Sequence, residues 1–147
     1  MADIVRTANA TWQGDLKSGV GTATTYSRAL QNTKITFSTR FENEPGANPE
    51  ELIAAAEAAC FSMALSGSLS RAGFTPTAIH TTATLTMTRT DAGFRVISIH
   101  LETEASVPGL DDGQFQTIAA ATKETCPVSA LLMPGLQSLT LSAKLLA

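Results

Sequence analysis

The chain has 147 residues, 44% of them hydrophobic and 16% charged, with a formal net charge of -3. That length suits one ordinary domain, and the mixed composition excludes a disordered or collagen-like chain. The mildly acidic balance gives no electrostatic reason to expect nucleic acid or an anionic membrane as partner.

The opening residues MADIVRTANATWQGD lack the apolar core of a secretory signal. Glu57 interrupts the most apolar run before it reaches the roughly 18 residues of a membrane-spanning helix. A cytoplasmic location is the expectation. Permanent disulfides are unusual there, so the two cysteines, Cys60 and Cys126, read either as working thiols or as plain core residues.

The first elements, IVRTANATWQG, GVGTATTYS and TKITFSTRF, are rich in Thr, Val, Ile and aromatics with glycine between them, and predict three strands over residues 1–42. Arg40 closes the third. A long helix is predicted over 48–72: Asn48 suits the N-cap, Pro49 the first helical position, Glu51 completes an Asn-x-x-Glu capping box, and Gly73 fits the left-handed position past the end. Between Leu52 and Leu69 this helix is small or apolar on nearly every side. A helix apolar all round must be buried all round, and the strands of one chain are too short to enclose it, so a homodimer sharing its helices is expected.

A hairpin is predicted over 77–107, with Ile79, Ala83, Leu85 and Met87 facing inward on its first strand and Ile97, Ile99, Leu101, Ala105 and Val107 on its second. The next helical region, 111–133, is broken by Pro127, which makes Cys126 the N-cap of a short new helix. The positive end of that helix dipole favours a thiolate. LQSLTLSAKLL gives a last strand over 136–146. No repeat or linker divides the chain, so residues 1–147 read as one domain.

Cys60 lies midway along the long helix, one turn from Ala56, Glu57, Met63 and Ala64, none of them basic. Buried without a cation it would be inert, so any activating charge must come from elsewhere. Arg40 is the best candidate. Glu51 is explained as a cap, which leaves Glu50 without a local partner. At ten residues from Cys60 it is about 15 Å away along an ideal helix, so if it serves Cys60 the neighbouring subunit supplies it. His80 and His100 fall on the wet faces of their strands and lack the close paired spacing of a zinc site. No phosphate loop, nucleophile elbow or nucleotide fingerprint is present.

The runs NPEELIAAAEAACFSMALS, TRFENEPGA, DAGF and CPVSALL, spread from ATWQGDLKSGVGT to the final strand, together resemble the OsmC/Ohr family of thiol peroxidases, and STRF resembles its OsmC branch. The resemblance implies an α+β fold: an intertwined homodimer in which curved antiparallel β-sheets wrap two long central helices, with active sites at the subunit interface. It implies Cys60 as the peroxidatic cysteine, Cys126 as the resolving one, and Arg40 and Glu50 as the charge pair that completes the site. It further implies reduction of organic hydroperoxides through a Cys60 sulfenic acid and a Cys60–Cys126 disulfide. No cofactor is implied beyond an external dithiol reductant, possibly of the lipoyl type. Phe41, Phe61, Met63, Leu131 and Met133 are available to shape an apolar substrate pocket, although core packing would use the same residues.

Two other classes compete: a non-catalytic module of the same fold that binds an apolar ligand, and a redox sensor using the same disulfide. Both cysteines, Arg40 and Glu50 argue against the first. The second would need a segment to receive its signal, and none is visible.

Overall fold

The computed structural model describes residues 1–146; Ala147, the last residue of the predicted domain, lies outside the described residues. The chain divides into two compact units that meet in sequence between Leu52 and Ile53.

The first unit carries an antiparallel sheet ordered β1 (Ala8–Gln13), β2 (Val20–Thr25), β3 (Thr33–Thr36). The β1–β2 turn is tied by Asp15, whose Oδ1 accepts the backbone N–H groups of Lys17 and Ser18, as turn aspartates do. Trp12 stands opposite Gly21 in the register, and a side chain at Gly21 would strike its indole ring. β1 is exposed along its whole length, and Trp12 and Val20 remain open to solvent.

The third strand is shorter than predicted. It stops at Thr36, and Phe37–Phe41 forms a one-turn helix, α1, so Arg40 is helical and does not close a strand. A reciprocal cap explains the change. The Thr39 N–H donates to Thr36 Oγ1 at 3.1 Å and the Thr36 N–H donates to Thr39 Oγ1 at 3.0 Å, which satisfies donors a continuing strand would need paired.

The long helix, α2, runs Pro49–Arg71, as its caps predict. Asn48 Oδ1 accepts the Glu51 N–H at 2.8 Å. At the other end Gly73 adopts φ +90, the Gly73 N–H bonds Ser70 O and the Phe74 N–H bonds Leu69 O, the paired bonds of a Schellman ending.

In the second unit the sheet order is β4 (Ala78–Thr90), β5 (Gly93–Ser106), β6 (Ser138–Leu146). β4 and β5 form the predicted hairpin, with a bulge where Thr86 gives way to Met87. β6, however, pairs parallel with β5, so this sheet is mixed and not antiparallel throughout. A parallel neighbour needs a crossover of a dozen or more residues, and α3 (Asp112–Thr125) and α4 (Pro127–Leu132), with a 3-10 turn at Met133–Gly135, supply it. Ile99, Leu101 and Ala105 on β5, Phe115 and Ala119 on α3, Leu139 on β6 and Phe61, Leu65 and Leu69 on α2 form one core.

Within the chain α2 is not buried all round. Its buried residues fall every fourth position, Glu57, Phe61, Leu65 and Leu69, while Ala55, Ala56 and Ala59 are exposed and Met63 is 78% exposed. Phe61 belongs to the core and not to a pocket wall. By length and composition α2 could cross a bilayer, but its buried stripe belongs to the core of the second unit.

Candidate active site

The first unit carries a charge pair. α1 is clipped to the loop before α2: Thr39 Oγ1 donates to Ala47 O at 3.0 Å, and Asn48 Nδ2 donates to Thr39 O at 3.2 Å. Those bonds fix α1 against the start of α2, and Arg40 meets Glu50 there. Arg40 Nη2 lies 2.8 Å from Glu50 Oε1, and Arg40 Nε bonds both carboxylate oxygens at 3.2 Å. Such a fork orients a guanidinium more rigidly than a single contact. Arg40 Cζ also lies over the Phe41 ring, 5.0 Å from its centroid, and Phe41 in turn packs against Phe37. Beside the pair is an open, mainly apolar cavity of about 570 Å³ lined by Trp12, Leu16, Ile35, Phe37, Arg40 and Phe41. Glu50, left without a local partner by sequence spacing, has one in Arg40.

The second unit carries the two sulfurs. Cys60 is half-buried on α2 and Cys126 is fully buried at the junction of α3 and α4. Their Sγ atoms stand 3.2 Å apart with both cysteines free, close enough for a disulfide to form with a small local movement. Cys126 caps α4 with Pro127 at its first position, as predicted, and makes no side-chain cap hydrogen bond. Desolvation by burial pushes the Cys60 thiol above its ordinary value; the Val128 backbone N–H pulls it back, while Cys126 and the Glu57 charge raise it further. Cys60 thus stands beside a second sulfur, and its own unit supplies no cation among the groups that shift it.

Sequence reasoning noted Glu57 only as an interruption of an apolar run and as a non-basic neighbour of Cys60. In the structure it is fully buried, Ser129 Oγ donates to its Oε1, and its Oε2 has no hydrogen-bond partner among the described residues. The available signal was a lone carboxylate in an alanine-rich helix with no Lys or Arg three or four positions away.

His100 bridges Thr140, through Nδ1 at 2.7 Å, and Ser142, through Nε2 at 3.3 Å, on the polar face of the β5–β6 pair. Among the described residues no three His, Cys, Asp or Glu side chains gather as a metal site.

A family profile described as "OsmC-like protein" matches residues 41–138. The chain is 51% identical over 129 residues to "Peroxiredoxin OsmC" of Escherichia coli K12, covering 88% of this chain and 90% of that protein. Among solved structures, an organic hydroperoxide resistance protein OsmC from Legionella pneumophila superposes with a TM-score of 0.74 at 22% identity, covering 97% of this chain and 99% of that one. The organic hydroperoxide resistance protein OhrB of Bacillus subtilis gives 0.68 at 24% identity, covering 94% and 98%. These two structures share the fold: α+β, with two sheets and several helices.

Proposed function

The chain belongs to the OsmC-like protein family and is a thiol peroxidase; we propose that it reduces organic hydroperoxides through Cys60, with Cys126 resolving the oxidised sulfur and Arg40 and Glu50 completing the site. The single observation that carries this assignment of roles is the 3.2 Å separation of the two free sulfurs.

The site forms across a homodimer. The bare β1 strand, the exposed Ala55, Ala56, Ala59 and Met63 face of α2 and the open apolar cavity beside Arg40 support this reading, since a second copy would cover surface of this kind. In the dimer the two units of each chain work as one domain, and the Arg40–Glu50 pair of one protomer faces Cys60 of the other. That cation supplies what the surroundings of Cys60 in residues 53–146 lack, a positive charge that favours thiolate.

The chemistry runs in three steps. The Cys60 thiolate attacks the distal peroxide oxygen, the O–O bond breaks, and its electron pair leaves with the alkoxide, which takes a proton to become the alcohol. Cys60 is left as sulfenic acid, and the Arg40 guanidinium stabilises charge on the departing oxygen. The Cys126 sulfur then attacks the Cys60 sulfur, forming the disulfide and releasing water. Finally an external dithiol reduces the bridge by exchange. Because Cys126 is fully buried and Cys60 only half-buried, the reductant attacks Cys60, which suits a slender dithiol of the lipoyl type. The apolar wall of Trp12, Phe37 and Phe41 beside Arg40 favours a hydroperoxide with an alkyl or lipid chain over hydrogen peroxide. A cytoplasmic setting, where thiols stay reduced, fits this cycle.

Mass spectrometry after one equivalent of cumene hydroperoxide per reduced chain tests the assignment. The expected product has lost two hydrogens as a Cys60–Cys126 disulfide, whereas Cys126→Ser gains a single oxygen on Cys60. An unchanged mass, or oxygen added elsewhere, would remove Cys60 from the role.

A further inference from the structure

The run Cys126-Pro127-Val128-Ser129 meets α2 at two positions about one helical turn apart, Cys60 and Glu57. The Cys126 sulfur lies 3.2 Å from the Cys60 sulfur, and Ser129 Oγ donates to Glu57. Glu57 is wholly enclosed, and one of its carboxylate oxygens has no partner among the described residues. An ionised carboxylate in such a place leaves acceptor lone pairs unsatisfied, whereas a protonated one keeps the Ser129 bond and carries no charge. Burial accordingly pushes the Glu57 carboxyl above its ordinary range, against the smaller opposing pull of Ser129.

The other titratable groups around this point are few. Cys60 shares its helix and Cys126 arrives from the α3–α4 junction. At the end of α3, Lys123 pairs with Glu124 and reaches Leu139 O. On the sheet, His80, Glu104 and Lys144 share one register row, and with His100 and Glu102 they lie on the face opposite buried Leu101, Thr103 and Ala105.

We propose that Glu57 is a positioning residue for the peroxidatic sulfur: its buried carboxyl, latched to Ser129, holds the first turn of α4 against α2, and the loss of its proton sets a negative charge beside Cys60 that opposes the thiolate. The latch keeps Cys126 facing Cys60 for resolution. The proton makes Cys60 reactivity less steep in pH than a lone thiol would be, because each site's ionisation disfavours the other's. This inference rests on Cys60 being the reactive thiol, but not on what it reacts with.

The test is site-resolved alkylation of the reduced full-length protein by iodoacetamide, read on the Cys60 peptide by mass spectrometry across pH. It needs no hydroperoxide, so failure of the peroxidase assignment would show in the oxidation experiment and not here. Glu57→Gln keeps an acceptor for Ser129 but cannot ionise. Its Cys60 rate should rise with a full one-proton slope and exceed the wild-type rate several-fold on the alkaline side, the ratio growing with pH. Ser129→Ala, which removes the latch and leaves the carboxyl, should slow several-fold the closure of the Cys60–Cys126 disulfide by diamide, a two-electron oxidant that makes no sulfenic acid. Parallel pH profiles for wild type and Glu57→Gln would overturn the electrostatic role, and unchanged disulfide formation in Ser129→Ala would overturn the latch. Should Glu57→Gln fail to fold, Glu57→Leu serves the same profile, with the same two outcomes.

Discussion

The two halves of the proposed site are built from opposite materials. The Arg40–Glu50 pair is a charge pair near the surface, with Arg40 38% and Glu50 14% exposed, positioned by caps and a clipped loop within residues 36–50. The Cys60–Cys126 pair is largely enclosed, held by a core that gathers α2, α3, α4 and three strands. A partly exposed ion pair adds little to stability by itself, so the fork at Arg40 makes more sense as equipment for another group than as a brace. A pair of thiols in a dry setting is inert without a cation. Each half has what the other lacks.

The largest effect should come from taking the charge away. Arg40→Ala is expected to lower kcat/KM for an organic hydroperoxide about 100-fold, the scale of removing one preorganised donor from a reacting oxygen. Arg40→Lys, which keeps the charge but loses the fork, should fall between the two. Steady-state kinetics with cumene hydroperoxide measures both. An Arg40→Ala enzyme of wild-type efficiency would reduce the fork to a surface ornament and break the comparison.

A smaller effect sharpens the enclosed half. Burial lifts the Glu57 carboxyl above its ordinary value of 4.5, so the folded chain binds that proton more tightly than the unfolded chain. The resulting stability is complete below the unfolded value and is lost as pH rises through the folded one. Wild type should therefore lose melting temperature relative to Glu57→Gln as pH climbs from acid towards neutral and beyond. At this chain length each kcal/mol corresponds to about 2–4 °C. Thermal melts of both reduced proteins at matched pH read the gap, and a gap that stays constant with pH would mean Glu57 does not titrate in the folded chain.

The elements set by local chemistry were legible in the sequence. Asn48, Pro49 and Gly73 mark the ends of α2 because capping depends on neighbouring residues alone. Pro127 likewise places Cys126 at the head of α4. TFSTRF misleads because its threonines and aromatics favour strands, while two threonine hydroxyls three positions apart close a cap that propensity does not register. The parallel direction of β6 depends on how the α3–α4 crossover returns, which no pattern within β6 records. The same holds for Glu57, whose partner Ser129 is 72 positions away. The four proposed site residues are legible through motif resemblance, and the two sulfurs do stand together, but the latch beneath them is visible only in three dimensions.

The central claim is that the two halves join across the dimer, and subunit complementation tests it most directly. Arg40→Ala and Cys60→Ser are each expected to be nearly inactive alone. Unfolded together and refolded at equal amounts, they assort into dimers, half of them mixed, and each mixed dimer carries one site with an intact Cys60 facing an intact Arg40. Activity should return to about a quarter of the wild-type value, one site in four being whole. Activity that stays at the level of the two parents, with mixed dimers demonstrated by mass, would contradict a site shared between subunits.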